Sequence, residues 1–312
     1  MKYDSDRVAP LAASRKRVEV QFSVGTEKCH AWLYQPGGGW PERRVPVVIM
    51  AHGLGGTKAM LLANYAERFS EAGYAVLVFD YRYLGQSSGE PHGLVNIKQQ
   101  LEDWQAAVAF ARSRDELDAD RVVLWGTSFA GGHVIVTASR DPRIAALVSQ
   151  CPFTDGPATG KIIPTAIKLR LTALAIVDSL KGMLGLSPVR IPLVGRPGEL
   201  ALLTTPDAAP GFAKLLKASS VGSIPGLPAR IVLQLLSYRP GLSAKDVGCP
   251  SLFCICEGDS VAPSSMTVDL VQKAPRSEIK RYKEGHFEIY LGDPMVKIVT
   301  DQVAFLHKHV PI

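Results

Sequence analysis

Short apolar runs alternate along the chain with longer segments in which apolar residues recur every three or four positions. The short runs, many of them rich in β-branched residues, are typical of strands buried on both faces and lie at 47–51, 75–79, 121–125, 145–150 and 250–256. The longer segments predict helices at 59–72, 94–114, 129–140, 264–274 and 294–309. An antiparallel strand pair is expected at 17–35. This order predicts an α/β fold with a mostly parallel, doubly wound sheet.

Residues 153–246 interrupt the alternation. They contain many prolines and glycines, few aromatic residues and several apolar helical runs, of which 162–186 is the longest. Charged residues at 168, 170, 178 and 181 divide that run, so it is not expected to span a membrane. The pattern predicts an inserted helical segment within a core made of 17–152 and 247–312, with an N-terminal extension at 1–16.

The length of 312 residues suits one large α/β domain with an insertion. Residues 1–6 have neither a basic nor an apolar leader pattern, so a cytoplasmic location is expected. The Cys-x-Cys at 254–256 would place two sulfurs on one face of a strand, as a metal site could use. No other set of cysteines or histidines has the spacing of metal ligands, so buried free thiols are favoured over a metal site. The cysteines are Cys29, Cys151, Cys249, Cys254 and Cys256.

Positive charge is concentrated in the insertion. Between Lys161 and Lys245 there are 11 Lys or Arg against three Asp or Glu, a net charge of +8 in a chain whose total is +6. A basic face over a catalytic entrance could steer anionic substrates such as carboxylates or acyl-CoA thioesters. The alternatives are a solvated basic face, or contact with acidic lipid or a partner. Nucleic-acid binding is not expected, because aromatic residues are not interleaved with the basic ones.

A serine lies where a buried strand should turn sharply into a helix. Residues 126–131 read Gly-Thr-Ser-Phe-Ala-Gly, and the small Gly126 and Ala130 leave room for a tight turn around Ser128. This arrangement presents a serine hydroxyl at the end of a strand, near a helix N-terminus that stabilises negative charge. Ala130 replaces the second glycine of the usual G-x-S-x-G pattern, which is a mild departure.

Partners for the serine follow in the chain. His286 comes after the strand-like run 279–283, and Asp259 comes after the run 250–256. Glu257 and Asp155 compete with Asp259 as the orienting carboxylate, and the Asp-Ser-Val-Ala-Pro context favours Asp259. Upstream, the turn His52-Gly-Leu-Gly-Gly could aim the Leu54 amide at the same place as the Phe129 amide.

These segments, in this order, resemble the α/β-hydrolase superfamily, and within it the bacterial dienelactone-hydrolase and X-Pro-peptidase-like groups. The resemblance covers roughly residues 17–312, apart from the insertion, which resembles the cap of such enzymes. It implies Ser128 as nucleophile, His286 as general base and Asp259 as its partner. It also implies the Leu54 and Phe129 amides as oxyanion donors, with no cofactor and no metal.

The remaining polar residues of these motifs are expected to be structural. His52 would hold the oxyanion turn, and His133 would be a packing or capping residue. His30, His92, His307 and His309 have no partner motif. The glycines at 85 and 89 lack the spacing of a phosphate loop, so Asp80 is expected to be structural and Arg82 to form an ion pair.

The expected activity is hydrolysis of carboxylic esters or thioesters through an acyl-enzyme, with medium-sized apolar acyl groups or cyclic esters as substrates. Three alternatives remain: hydrolysis of short peptides or amides, acyl transfer with the same triad, and a ligand-binding protein without catalysis. The expected partner is a small-molecule substrate, and the sequence leaves a homodimer open.

Overall fold

The computed structural model describes residues 17–161, 163–219, 221–222 and 224–312. The predicted extension at 1–16 lies outside the described residues, and so does the expectation that it has no leader. The first residue of the predicted run 162–186 also lies outside them. The insertion at 153–246 occupies the connection between two neighbouring strands of the main sheet.

Within the described residues, eight strands form the main sheet. In chain order they are β1 (Arg17–Val24), β2 (Glu27–Tyr34), β3 (Val45–Ala51), β4 (Ala75–Phe79), β5 (Leu117–Thr127), β6 (Ile144–Gln150), β9 (Ser251–Cys256) and β10 (Ser277–Tyr282). Their order across the sheet is β1-β2-β4-β3-β5-β6-β9-β10. β1 and β2 pair antiparallel, β2 pairs antiparallel with β4, and the rest of the sheet is parallel. The predicted α/β fold with a mostly parallel sheet is confirmed.

Helices cover the sheet, because the strands are apolar on both faces and need shielding from water on both sides. The helices outside the insertion are α1 (Leu62–Glu71), α2 (Ile97–Arg112), α3 (Phe129–Arg140), α8 (Ser264–Val271) and α9 (Gly292–His309). α1 begins three residues later than predicted, after Leu61 in a left-handed conformation with φ of 66°. α9 begins two residues earlier, since Pro294 is tolerated in the first turn, where its missing N–H is not needed.

The insertion contains α4 (Gly156–Thr159), α5 (Thr165–Met183), α6 (Ala208–Ser219) and α7 (Ile231–Leu235). The two-residue strands β7 (Arg190–Ile191) and β8 (Leu227–Pro228) pair antiparallel, and a 3-10 helix, Pro240–Asp246, leads back to β9. One side of α5 packs on a small apolar cluster of the insertion, formed by Ile167, Leu171, Ala175, Ile191, Ala229 and Val232. Among the described helices, none has the length and hydropathy that a membrane span requires.

The parallel strands end together at the edge of the sheet that carries the site. Gly126 of β5 is paired with Ala51 of β3, and Thr127 is paired with Gln150 of β6. β9 and β10 follow β6 across the sheet. Residues that directly follow β3, β5, β9 and β10 are therefore brought to one edge, as in other open α/β sheets.

Candidate active site

Ser128 occupies a strained turn between β5 and α3. Its backbone has φ of 56° and ψ of −117°, a conformation that L-residues rarely adopt. Gly126 is required there because a Cβ atom at that position would lie 2.3 Å from the carbonyl oxygen of Ala130. The turn lifts the Ser128 hydroxyl off the sheet edge and toward the segments that follow β3 and β10.

A continuous hydrogen-bonded chain joins Ser128, His286 and Asp259. When the imidazole is neutral, the Ser128 hydroxyl donates to Nε2 of His286 over 3.0 Å, and Nδ1 of His286 donates to Oδ2 of Asp259 over 2.6 Å. The other carboxylate oxygen of Asp259 accepts from the backbone amides of Val261 and Ala262 over 2.8 and 2.7 Å. Both oxygens of the buried carboxylate are thus bonded, and the imidazole is fixed in one orientation.

The two competing carboxylates lie elsewhere. Glu257 is half exposed and faces Arg281 at 3.6 Å. Asp155 accepts from the Ala158 amide at the start of α4 and from Nε of Arg239, over 2.8 Å in each case. Of the three acidic candidates, the structure therefore brings only Asp259 to His286.

Two neighbours of His286 affect its protonation. Burial by itself would lower the pKa of His286, but the Asp259 carboxylate and Cys151 together outweigh it, and the pKa rises well above its usual range. The Cys151 thiol is close by: its sulfur, the Asp259 carboxylate and the imidazole have polar atoms within 4.8 Å of one another. Cys151 itself has φ of 35° and lies 3.7 Å from the Thr127 hydroxyl. The imidazole must lose its proton before it can accept one from Ser128.

The turn after β3 packs directly on the serine. A Cβ atom at Gly53 would lie 3.0 Å from Cβ of Ser128, so glycine allows this close backbone approach. His52 lies beneath the turn, where Nδ1 donates to the Gly53 carbonyl over 2.9 Å and burial lowers the pKa of the ring. In the part of the chain that the structure describes, the amides of Leu54 and Phe129 have no hydrogen-bond acceptor.

A buried ion pair that the sequence analysis did not anticipate supports this turn from behind. The Lys58 side chain is only 1% exposed, and its Nζ donates to Oδ2 of Asp80 over 2.6 Å and to the Gln86 side chain over 2.8 Å. The Lys58 amide also donates to Oδ1 of Asp80 over 2.7 Å. Only glycine fits at position 85, because a Cβ atom there would clash with the Asp80 carboxylate. Asp80 therefore has the structural position expected of it.

Arg82 and His133 are also buried in structural positions. Nε of Arg82 donates to Asp103 over 2.6 Å, which is the expected ion pair. His133 of α3 accepts from the Tyr238 hydroxyl over 2.7 Å and donates to the Gln100 side chain over 3.0 Å. Burial lowers the pKa of His133 to about 3, so the ring is neutral. Through Tyr238, this histidine links α3 to the insertion.

The other four histidines lie outside the site. His30 is 3.4 Å from Glu19 on the neighbouring edge strand, and His309 is 2.7 Å from Glu278. His307 bonds to the carbonyl of Ala72, and the carbonyl of His92 accepts from Arg190. None of these contacts involves Ser128, His286 or Asp259.

Two apolar cavities meet at Ser128, and both are roofed by the insertion. The first, here called the α6 arm, is lined by Leu62, Leu193, Phe212, Leu215, Phe287 and Tyr290. The second, the α7 arm, is lined by Phe153, Ile163, Leu202, Leu235, Leu236 and Val261. Leu54, Leu203 and Ser128 border both arms. This division into two arms was not predicted from the sequence.

Comparison with known proteins agrees with the fold. Residues 46–185 match a family model described as the alpha/beta hydrolase fold. The quorum-quenching protein AidA of Acinetobacter baumannii (strain MDR-ZJ06) is 48% identical over 296 residues, which cover 95% of this chain and 96% of AidA. This chain belongs to the α/β-hydrolase superfamily.

More distant members of the superfamily match over most of their length. Thiohydrolase AneE of Aspergillus aculeatus is 24% identical, over 85% of this chain and 86% of its own. The crystal structure of the α/β-hydrolase GrgF from Penicillium sp. sh18 superposes with a TM-score of 0.79 at 23% identity, covering 95% of this chain and 99% of GrgF. The superposition shows that the fold is shared over nearly the whole chain.

Proposed function

We propose that this α/β-hydrolase is a serine hydrolase that cleaves carboxylic esters through an acyl-enzyme. The observation that carries the proposal is the hydrogen-bonded chain from Ser128 through His286 to Asp259, with the serine held in a strained turn. A serine hydroxyl is a weak nucleophile unless an adjacent base accepts its proton and a third group orients that base. Both conditions are met within hydrogen-bond distance.

The mechanism follows from the geometry. Neutral His286 accepts the Ser128 proton while Oγ attacks the substrate carbonyl, and Asp259 stabilises the imidazolium that forms. The Leu54 and Phe129 amides border the same space and supply two donors for the oxyanion. The imidazolium then protonates the departing alcohol, and the acyl group remains on Ser128. Water, activated by His286, releases the acid in a second round of the same steps.

The two arms indicate which esters fit. We propose that residues 153–246 act as the cap, since the cap supplies Leu193, Phe212 and Leu215 to one arm and Leu202, Leu235 and Leu236 to the other. Both arms open on Ser128, so a carbonyl bound there can carry an apolar group on each side. Medium-sized apolar acyl esters, and cyclic esters with an apolar chain, satisfy both arms.

On this proposal, charged side chains contribute little to the binding of the substrate. Among the described residues that line the two arms there is no Lys and no Arg. Arg230 and Arg239 of the cap are paired with Asp178 and Asp155. An anionic group on the substrate would therefore not find a cationic partner beside the reacting carbonyl, and neutral esters are the better candidates.

The names of the relatives include a hydrolase and several transferases, so acyl transfer is kept as the second candidate. The 48% identical AidA is named as quorum-quenching, and a more distant relative is named as a thiohydrolase. Another, from Aspergillus fumigatus, is named as a polyketide transferase and is 27% identical. In this chain, transfer would require that an alcohol or amine in one arm outcompete water for the acyl group in the other. The ratio of acid to transfer product at rising alcohol concentration distinguishes the two.

Labelling with a fluorophosphonate, followed by rates on an ester panel, tests the proposal. The wild type should be labelled and Ser128→Ala should not. The panel should vary the acyl chain and the alcohol separately and include lactones that carry apolar chains. A chain-length optimum on both sides of the carbonyl supports the two-arm site. Equal labelling of Ser128→Ala, or no turnover of any ester of the panel by unlabelled wild type, contradicts the proposal.

A further inference from the structure

The solvent side of α5 is apolar over almost its whole length. Seven of the 13 large apolar side chains that the described residues expose lie between 169 and 186, each with 48% to 74% of its surface accessible. We call these seven side chains the α5 ridge: Leu169, Ile176, Val177, Leu180, Met183, Leu184 and Leu186. On a helix with 3.6 residues per turn, the five members within α5 fall in an arc of about 120°. Ala173 completes that arc and is also exposed.

The ridge is separate from the face that α5 uses in folding. Ile167, Leu171 and Ala175 lie on the opposite side of the helix and are buried in the small cluster of the cap. A surface helix with one buried apolar face normally presents polar residues to water on the other. Apolar patches as continuous as this one mark contact surfaces rather than ordinary solvent-exposed surface.

The charges around the ridge have one sign. Lys168, Arg170 and Lys181 flank it along α5. The acidic residue of the helix, Asp178, is fully buried and accepts hydrogen bonds from Arg230 and from the Val189 amide, so its charge is not presented at the ridge. An apolar face bordered by Lys and Arg is the pattern of helices that lie in the interface of an anionic membrane.

The ridge is also close to the substrate cavity. Ile163, Leu202 and Leu236 pack against the cluster beneath α5 and at the same time line the α7 arm. One layer of side chains therefore separates the ridge helix from an arm shaped for an apolar group. A protein docked through α5 would hold that arm close to the surface on which it rests.

We propose that the α5 ridge docks this protein on an anionic lipid surface. Charge favours this partner over a second copy of the chain, because self-association through the ridge would bring the basic flanks of two identical helices together. On lipid, the same residues pair with phosphate headgroups while the ridge enters the acyl boundary. The inference stands on the cap surface and does not require that Ser128 be the nucleophile.

Co-sedimentation of the full-length protein with vesicles tests the inference. Vesicles of phosphatidylcholine alone are compared with vesicles of equal parts phosphatidylcholine and phosphatidylglycerol. Wild type should bind the anionic vesicles at least ten-fold more strongly, and the advantage should shrink as salt screens the charges. Ser128→Ala should bind as wild type does, so that failure of the catalytic proposal and failure of docking remain distinguishable.

Variants separate the apolar contribution from the charge contribution. Ile176→Ser/Leu180→Ser should lose most binding, and Arg170→Gln/Lys181→Gln should lose the preference for anionic vesicles. Val296→Ser, which removes an exposed apolar side chain from α9, is the matched control and should bind as wild type. All of these variants should keep the circular dichroism spectrum and the melting temperature of wild type, which shows that they are folded.

Two results would overturn the inference. The first is equal binding of wild type and Ile176→Ser/Leu180→Ser to anionic vesicles. The second is a wild-type dimer in sedimentation velocity that dissociates in Ile176→Ser/Leu180→Ser, with no vesicle binding by either protein. In that case the ridge is covered by a second copy of the chain.

Discussion

The edge of the sheet and the cap differ in the side chains that they bury and expose. At the sheet edge, charged groups are buried and bonded: Asp259 has both carboxylate oxygens occupied, and Lys58 is paired with Asp80. In the cap, apolar side chains line two arms within and form a ridge outside. On the proposed function, the difference means that the sheet edge would fix the geometry of the chemistry, whereas residues 153–246 would select the substrate that is brought to it.

The largest effect is expected at the carboxylate that orients the base. Asp259→Asn should lower kcat/KM on the order of 10³-fold, because an amide can neither hold the imidazole in the same tautomer nor stabilise its charge. Glu257→Gln, two residues earlier and half exposed, should change the rate less than about two-fold. Steady-state kinetics with one chromogenic ester measures both. The reverse ranking would show that Glu257 is the partner of His286.

The buried pair behind the oxyanion turn should be the most costly to break in stability. Lys58→Met leaves Asp80 charged and buried without its partner, which should cost about 3–5 kcal/mol of unfolding free energy. The half-exposed pair of Lys280 and Asp301 gives the matched control, and Lys280→Met should cost less than about 1 kcal/mol. Urea unfolding of the three proteins provides the comparison. Similar urea midpoints for Lys58→Met and Lys280→Met would mean that the buried pair of Lys58 and Asp80 does not stabilise the turn.

Much of the sheet edge could be predicted from the sequence, because its signals are local. An apolar strand followed by Gly-x-Ser, and later strands followed by Asp and Gly-His, are readable without knowing what packs on them. Lys58 could not be read in this way. A lysine just before a helix usually faces water, and its burial depends on Asp80, which lies 22 residues further along the chain.

The cap could be predicted only as a helical insertion, since its arms arise from packing between distant segments. The α7 arm joins Ile163, Leu202 and Leu236 of the cap to Phe129 of α3 and Val261 after β9. No periodicity within one segment reveals such a cavity. The basic excess, in contrast, was visible in the sequence, and the structure places part of it beside the apolar ridge of α5.

Filling one arm at a time should separate the roles of the two cavities. Leu236→Trp narrows the α7 arm and Leu215→Trp narrows the α6 arm, so each should lower kcat/KM about ten-fold for esters that are long on the affected side of the carbonyl. Short esters should be nearly unaffected by either variant. Rates on matched acyl and alcohol series give the assignment. If both variants lower kcat/KM for the long members of the same series, the two cavities form one subsite.

The smallest expected effect is a displacement of the pH profile. Because Asp259 raises the pKa of His286, kcat/KM should fall as the pH is lowered through a value above the usual histidine pKa of about 6.5. In Asp259→Asn, only Cys151 still opposes the effect of burial on the His286 pKa, so the residual activity should persist to lower pH. Profiles of both proteins on one substrate test this. If kcat/KM falls at the same acidic pH in wild type and in Asp259→Asn, Asp259 does not set the protonation of His286.

The most direct test of the central claim is to trap the acyl group. Rapid acid quenching of the wild type during turnover of an activated ester, followed by proteolysis and mass spectrometry, should locate one acyl group on Ser128. Ser128→Ala should carry none. An acyl group on another residue, or full turnover by Ser128→Ala, would contradict the assignment of Ser128, His286 and Asp259 as the catalytic unit.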